Sequence, residues 1–163
     1  MIRLLLLAWA ALLLFIGPAR AETTTEAALS VVCPGHLDLA PHLDAAARRY
    51  LVHPVVLVAL MAEESGCRMG VVGSHGEVCA MQIHGVARNG HSRRALRSDP
   101  ALCIATGARW LSLRTVDCGG GLLMGLAGYN AKECRHGKRY ALRVLATVAR
   151  IWKAIEQRKE WRS

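Results

Sequence analysis

Residues 53–66 read HPVVLVALMAEESG, and this stretch decides the fold. Pro54 suits a first helical turn, where its missing N–H would have had no partner. Gly66 ends the helix at the other side. Between them Leu57, Leu60, Met61 and Glu64 recur at i, i+3, i+4 and i+7, which places them on one face. A carboxylate therefore closes an apolar stripe, at the C-terminal end of its helix. Apolar surroundings disfavour the charged form and raise a carboxyl pKa. The negative end of the helix dipole pushes the same way. A carboxylic acid kept protonated near neutrality can protonate a leaving-group oxygen. Glu63 competes for that role, turned about 100° around the helix, and the stripe favours Glu64 only modestly. A solvated acidic pair at a helix end is the plain alternative.

Working outward, apolar periodicity predicts a helix over about 40–51, with Leu43, Ala46, Ala47 and Tyr50 on one stripe. Residues 22–32 show no clear period. From Cys67 to Ile83 the helical period stops. Gly70, Gly73 and Gly76, with Ser74 and His75, signal turns. Val71, Val72 and Val78 predict short strands, hence a small hairpin. Residues 84–98 read as a basic, glycine-containing loop. Asp99 and Pro100 supply an N-cap and a first-turn proline for a third helix, ending near Arg114. Gly119, Gly120 and Gly121 break the chain again. A fourth helix is predicted over about 122–129 and a final, amphipathic and basic one over about 140–159. The fold class is α+β, predominantly α, with a small hairpin beside the helix that carries Glu64.

Residues 1–21 have the layout of a secretory leader: Arg3, an apolar run from Leu4 to Ile16, Gly17-Pro18, then a small-x-small site, Ala19-Arg20-Ala21. The run is short for a membrane span, which needs about 20 apolar residues. Residues 22–163 then form a single domain in the periplasm or outside the cell, free of the membrane once the leader is removed. Cys33, Cys67, Cys79, Cys103, Cys118 and Cys134 all follow the leader, an even set that predicts three disulfides. Many pairings are open, and Cys67 with Cys79 is the best single pair, across the hairpin. The net charge of +9 calls for an anionic partner. Nucleic acid, a membrane surface and a bacterial cell wall all qualify on charge. Few aromatics interleave the basic run of residues 84–98, and export removes the usual nucleic-acid partner, so nucleic acid is not expected. There is no CxxC pair and no HExxH, so no metal is expected. No glycine-rich phosphate loop is present, and no cofactor is expected.

Residues 53–83 resemble the catalytic core of the soluble lytic transglycosylases, a lysozyme-like family. In that family the catalytic helix ends in Glu-Ser, and a turn-rich segment leads to Gly-Leu-Met-Gln. The matching stretches are Glu64-Ser65-Gly66 and Cys79-Ala80-Met81-Gln82-Ile83. Asp99-Pro100 followed by Ile104, Gly107 and Ala108 is similar to the family's next helix. Ala127-Gly128-Tyr129-Asn130 resembles its Ala-Tyr-Asn motif. The ordered set covers about residues 40–150. The resemblance implies that Glu64 acts as general acid and then base, and that Ser65 supports its carboxyl group by a hydrogen bond. It implies that Met81 and Gln82 line the glycan groove, and that Tyr129 and Asn130 close the site. Cys79 and Ala80 depart from the family's Gly-Leu, and Cys67 from a usual aromatic. Cys103 stands where asparagine is common, which removes any role of that asparagine here.

The implied reaction cuts the MurNAc–GlcNAc β-1,4 bond of peptidoglycan strands and forms 1,6-anhydro-MurNAc. The family manages with one glutamate, whereas a hydrolytic lysozyme commonly uses two carboxyl groups. Glu77, in the predicted hairpin, is the candidate second carboxylate, and its plain reading is an exposed turn residue. A non-catalytic wall-binding or basic binding module is the alternative of another class. The small size resembles specialised members that serve secretion or conjugation machinery, and a monomer is expected.

Overall fold

The computed structural model describes residues 22–161; the leader predicted over residues 1–21 lies outside them. The described chain is built from α-helices joined by turns. They are α1 (Thr24–Val32), α2 (Ala40–Tyr50), α3 (Pro54–Ser65), α4 (Arg93–Ser98), α5 (Pro100–Asp117), α6 (Leu122–Asn130) and α7 (Lys138–Glu160). Short 3-10 turns stand at Leu37–Leu39, Gly85–Arg88 and Cys134–Gly137. Among the described residues no single helix is long and apolar enough to cross a membrane.

The helix read first from the sequence is the centre of the molecule. From Val55 to Met61 every side chain of α3 is buried. Such a helix is hydrophobic all round and must be covered on every side. α1, α2 and α7 supply that cover. The single apolar stripe inferred from the sequence is thus the visible part of a wholly apolar rod. His53 caps it, its ring nitrogen accepting from the Val55 N–H (3.2 Å). Gly66 ends it in the left-handed conformation (φ 60°), where a side chain would be strained. Asp99 caps α5 as predicted, accepting from Leu102 N–H at 3.0 Å.

Three expectations need correction. Residues 24–32, read as having no clear period, form α1, opened by a capping box between Thr23 and Glu26. That Thr-x-x-Glu signal was present in the sequence. The hairpin is not seen. The segment after α3 makes only single antiparallel bridges, Val72 with Val78 and Val78 with Ile83. Cys67, Gly76, Cys79 and Gln82 all take positive φ there, so no extended run lasts long enough to become a strand. The fold is mostly helical, as expected, but among the described residues the strands that would make it α+β are missing. The third correction concerns the disulfides. Cys67 does not pair with Cys79. The bonds are Cys33–Cys67, Cys79–Cys103 and Cys118–Cys134, with Cα separations of 6.0, 6.3 and 5.8 Å. With no hairpin to close on itself, each end of the segment is tied to a different helix, Cys67 to the end of α1 and Cys79 to α5.

α5 packs on α2 and α6, and α6 packs on α7. The turn into α7 is very tight. A Cβ on Gly137 would stand 1.9 Å from the Ala127 carbonyl oxygen of α6 and 2.6 Å from its carbon. Backbone cannot yield there as a flexible side chain would. Gly137→Ala should therefore destabilise the domain by about 2 kcal/mol or more, the scale of overpacking in a dense core. Urea unfolding of the variant and the parent checks this, and an unchanged midpoint would contradict it.

Candidate active site

Glu64 lies in the last turn of α3, where the apolar rod reaches a cleft of about 520 Å³. One wall of the cleft is the segment from Glu77 to Ala87, with Gln82, Ile83 and His84. The other wall comes from α5, through Trp110 and Arg114, and from residues 128–132 at the end of α6. Glu64, Glu77, Gln82, Tyr129 and Asn130 thus meet in one place, although up to 66 positions separate them.

Burial is the main influence on Glu64, and it pushes the carboxyl pKa up to about 7. Tyr140 opposes it by donating its hydroxyl hydrogen to Glu64 Oε1. The negative charges of Glu77 and Glu63 add to the rise, and Arg143 reduces it. Tyr140 is itself held protonated, first by burial and then by the charge and hydrogen bond of Glu64. Glu63 is committed elsewhere. Its carboxylate accepts from Thr147 Oγ1 (2.8 Å) and lies 3.7 Å from Arg143 Nε, both on α7. α7 thus ties up Glu63, while Glu64 lines the cleft.

Glu77 has the opposite character. Its pKa is lowered, first by its own backbone N–H, against a rise from burial, and then by the His75 N–H, donated at 3.0 Å. The charges of His75 and His84 contribute in the same sense. Two carboxyl groups in one cleft are therefore pushed apart, one toward the acid form and one toward the carboxylate.

Ser65 is buried, and its bonds go elsewhere than to Glu64. Its hydroxyl donates to the Ala80 carbonyl (2.9 Å) and accepts from Arg68 N–H (3.1 Å). It pins the segment after α3 to the helix end, and Tyr140 takes the place expected of Ser65 at the carboxyl group. Met81 does not line the cleft. Its side chain is fully buried against Gly107 of α5, where a Cβ would come within 2.6 Å of it. What Met81 offers the site is its carbonyl, which accepts from the Tyr129 hydroxyl at 2.7 Å. Gln82 lines the cleft, with its amide nitrogen donating to the Cys79 carbonyl (3.0 Å). Tyr129 is buried and protonated, and burial dominates that effect. Asn130 ends α6, exposed at the cleft edge.

Reading the sequence missed two parts of this arrangement. Tyr140 is one, since its partner lies 76 positions away. The other is a clasp on α5. Arg114 donates to the carbonyls of Gly128 (2.9 Å) and Lys132 (3.0 Å), and Trp110 Nε1 donates to that of Tyr129 (3.3 Å). These carbonyls at the end of α6 have no helical partners, and α5 satisfies them. Trp110 and Arg114 are four apart, so they share one face of α5. Among the described residues no group of three or more His, Cys, Asp and Glu side chains could hold a metal ion.

Residues 42–143 match the model of the transglycosylase SLT domain, which is more than half of the 163-residue chain. The chain belongs to the SLT transglycosylase family. That family consists of lytic transglycosylases, enzymes acting on peptidoglycan. The matched span contains Glu64, the whole cleft and Tyr140. No curated protein matches the chain. An SLT domain together with three disulfides also fits an extracytoplasmic protein.

The buried acid of this SLT domain has a cost that depends on pH. The folded pKa of Glu64 lies above its unfolded value near 4.5. The folded state therefore binds the proton more tightly, and stability falls as pH rises from about 4.5 through 7. Glu64→Gln removes that loss. The variant should gain on the order of 3 kcal/mol over the parent at pH 8, relative to their difference at pH 4. Thermal unfolding at the two pH values tests it; a parent and variant whose gap does not change with pH would refute the buried-acid assignment.

Proposed function

We propose that the chain cuts the MurNAc–GlcNAc β-1,4 bond without water, with Glu64 as its one acid and base. The observation that carries this reading is a partly buried carboxyl group lining the cleft with a pKa near 7. An acid of that strength is substantially protonated at neutral pH and becomes a competent base once it has given up its proton. Glu64 protonates the bridging oxygen as the C1–O4 bond breaks. The 6-hydroxyl of the same MurNAc attacks C1 and passes its proton to Glu64. The 1,6-anhydro ring is formed and Glu64 is again protonated, so one residue completes the cycle. The attacking hydroxyl belongs to the substrate and benefits from high effective concentration. Tyr140 is a positioning residue in this scheme, steadying the carboxylate between the two proton transfers. Gln82, Tyr129 and Asn130 hold the sugar.

A second reading rests on the split between the two carboxyl groups. Glu77 is held ionised in the same cleft as the raised Glu64, the division of labour a hydrolytic lysozyme uses. The His75 N–H already engages Glu77, which is the behaviour of a turn brace and favours the one-glutamate scheme. A further reading, in which the enzyme opens the wall for a secretion or conjugation apparatus, rests on resemblance to specialised members of the family and on no residue of the site. Deletion should then lower secretion or transfer while growth is unaffected, and normal transfer in the deletion strain would remove that role.

Mass spectrometry of digested peptidoglycan separates the two reactions. Anhydro-muropeptides are expected from the parent, none from Glu64→Gln, and an unchanged product from Glu77→Gln with less than about a tenfold loss of rate. Reducing-end products abolished by Glu77→Gln would establish the hydrolase instead. The pH profile follows from the same acid. kcat/KM should fall as pH rises through about 7, as the protonated form is lost. The Tyr140 hydrogen bond lowers the pKa of Glu64, so Tyr140→Phe should move that alkaline limb upward. A limb that stays in place or moves down in Tyr140→Phe contradicts the assigned contact.

A further inference from the structure

We infer that the arginines beside the cleft form a binding site for the carboxylates of peptidoglycan peptide stems, so that the enzyme prefers peptide-bearing strands to bare glycan. This rests on the peptidoglycan reading above and adds a site separate from the catalytic cleft. Arg93, Arg94 and Arg97, with Gly70 and Ser98, line a hollow of about 640 Å³. Residues 84–98 hold these three and Arg88, and not one acidic residue. Among the described residues no ion pair reaches any of the three, whereas Arg114, Arg135, Arg143 and Arg158 each face a carboxylate.

The fold does not account for these charges. Arg93 and Arg94 open α4, whose first turn has no acid, and positive charge there opposes the helix dipole. The one buried residue of α4 is Leu96. The three arginines are exposed and could be exchanged for neutral side chains without loss of core. They are nevertheless positioned. Arg97 Nε donates to the Gly70 carbonyl (3.2 Å). The Arg93 guanidinium lies 3.8 Å from where a Cβ would stand on Gly76, and Gly76 precedes Glu77, which lines the cleft. The hollow thus lies against residues 70–76, the stretch that leads directly into Glu77 and the wall of the cleft.

The chemistry of the substrate says what fits there. In peptide-bearing strands the lactyl carboxyl of MurNAc is tied up in the amide to its stem, so the negative groups are the carboxylates of the stems. Stripping the peptide leaves a carboxylate on the sugar itself, inside the cleft and away from the arginines. A guanidinium fork matches a carboxylate with two parallel hydrogen bonds. A stem of a few residues extends roughly 10 Å or more from its sugar, at about 3.3–3.6 Å per residue. That is the scale of one loop, so a stem leaving the cleft passes over the rim to the arginines.

The test compares the exported domain with the triple variant Arg93→Gln/Arg94→Gln/Arg97→Gln. Two substrates are used: intact peptide-bearing strands, and strands stripped of peptide by an amidase. The parent should show a KM about tenfold lower on the peptide-bearing strands. The variant should lose that ratio, with kcat and KM on stripped strands unchanged. Calorimetry with a muropeptide on the Glu64→Gln background reads the same contact without turnover, and there too the triple variant should lose most of the affinity. A ratio and affinity that survive in the variant overturn the site. A variant that instead loses binding to phosphatidylglycerol vesicles, with its substrate ratio intact, also overturns it and assigns the patch to a lipid surface. Failure of both substrates to yield anhydro products, with arginine-dependent muropeptide binding retained, would sink the proposed reaction and leave the site standing.

Discussion

The hydroxyl of Tyr140 on the carboxyl group of Glu64 is the contact around which the rest of the molecule is arranged. α3 is apolar on every side, and an acid at its end meets a poor solvent for charge. Without a partner such a group would be costly to ionise, and with a cationic partner it would not hold its proton. A neutral phenol, itself kept from ionising by burial, avoids both extremes. It accepts the glutamate in either protonation state, which the proposed use of Glu64 as acid and then as base requires. Placing that phenol needs the long helix α7 packed along α3, and α7 uses the same face to occupy Glu63 through Arg143 and Thr147.

What the sequence displayed was what short range determines. Pro54, Gly66, Asp99 and the apolar spacing between them set helix boundaries within a few residues, because caps and periodicity act over one or two turns. The cleft residues Gln82, Tyr129 and Asn130 were recognisable through family likeness, and no local pattern would have found them. What distance in the chain governs stayed hidden. Tyr140 meets Glu64 across 76 positions, and the disulfides depend on how loops lie over helices. Val71, Val72 and Val78 read as strands from their side chains, yet the positive φ values around them cut each pairing to a single bridge. Thr23 and Glu26 were a legible signal passed over, since the following Ala27, Ala28 and Leu29 lack an obvious polar face and are buried together.

Roles changed places more than positions did. Ser65 stands next to the acid, and Met81 is buried away from the groove it was expected to line; both work on backbone carbonyls. Ser65 ties down the Ala80 carbonyl, and Met81 offers its own carbonyl to Tyr129. The result is a chain of contacts under the cleft, from α3 through the loop to α6. The extra cysteines reinforce it, since Cys67 and Cys79 fasten both ends of that loop to neighbouring helices. Cross-links of this kind contribute typically about 2–4 kcal/mol each, chiefly by restricting the unfolded chain.

α5 carries a further consequence. One wall of the cleft is bonded to it through Cys79–Cys103, and the other is clasped by Trp110 and Arg114 and fastened below by Cys118–Cys134. Both banks of the channel are therefore moored to a single 18-residue rod. Their spacing is a property of that rod and not of whatever lies between them. A channel of set gauge cannot grip one strand harder than another by shutting on it. Under the proposed stem contact, it would tell polymers apart as a track does wheels, by what they carry along the rim.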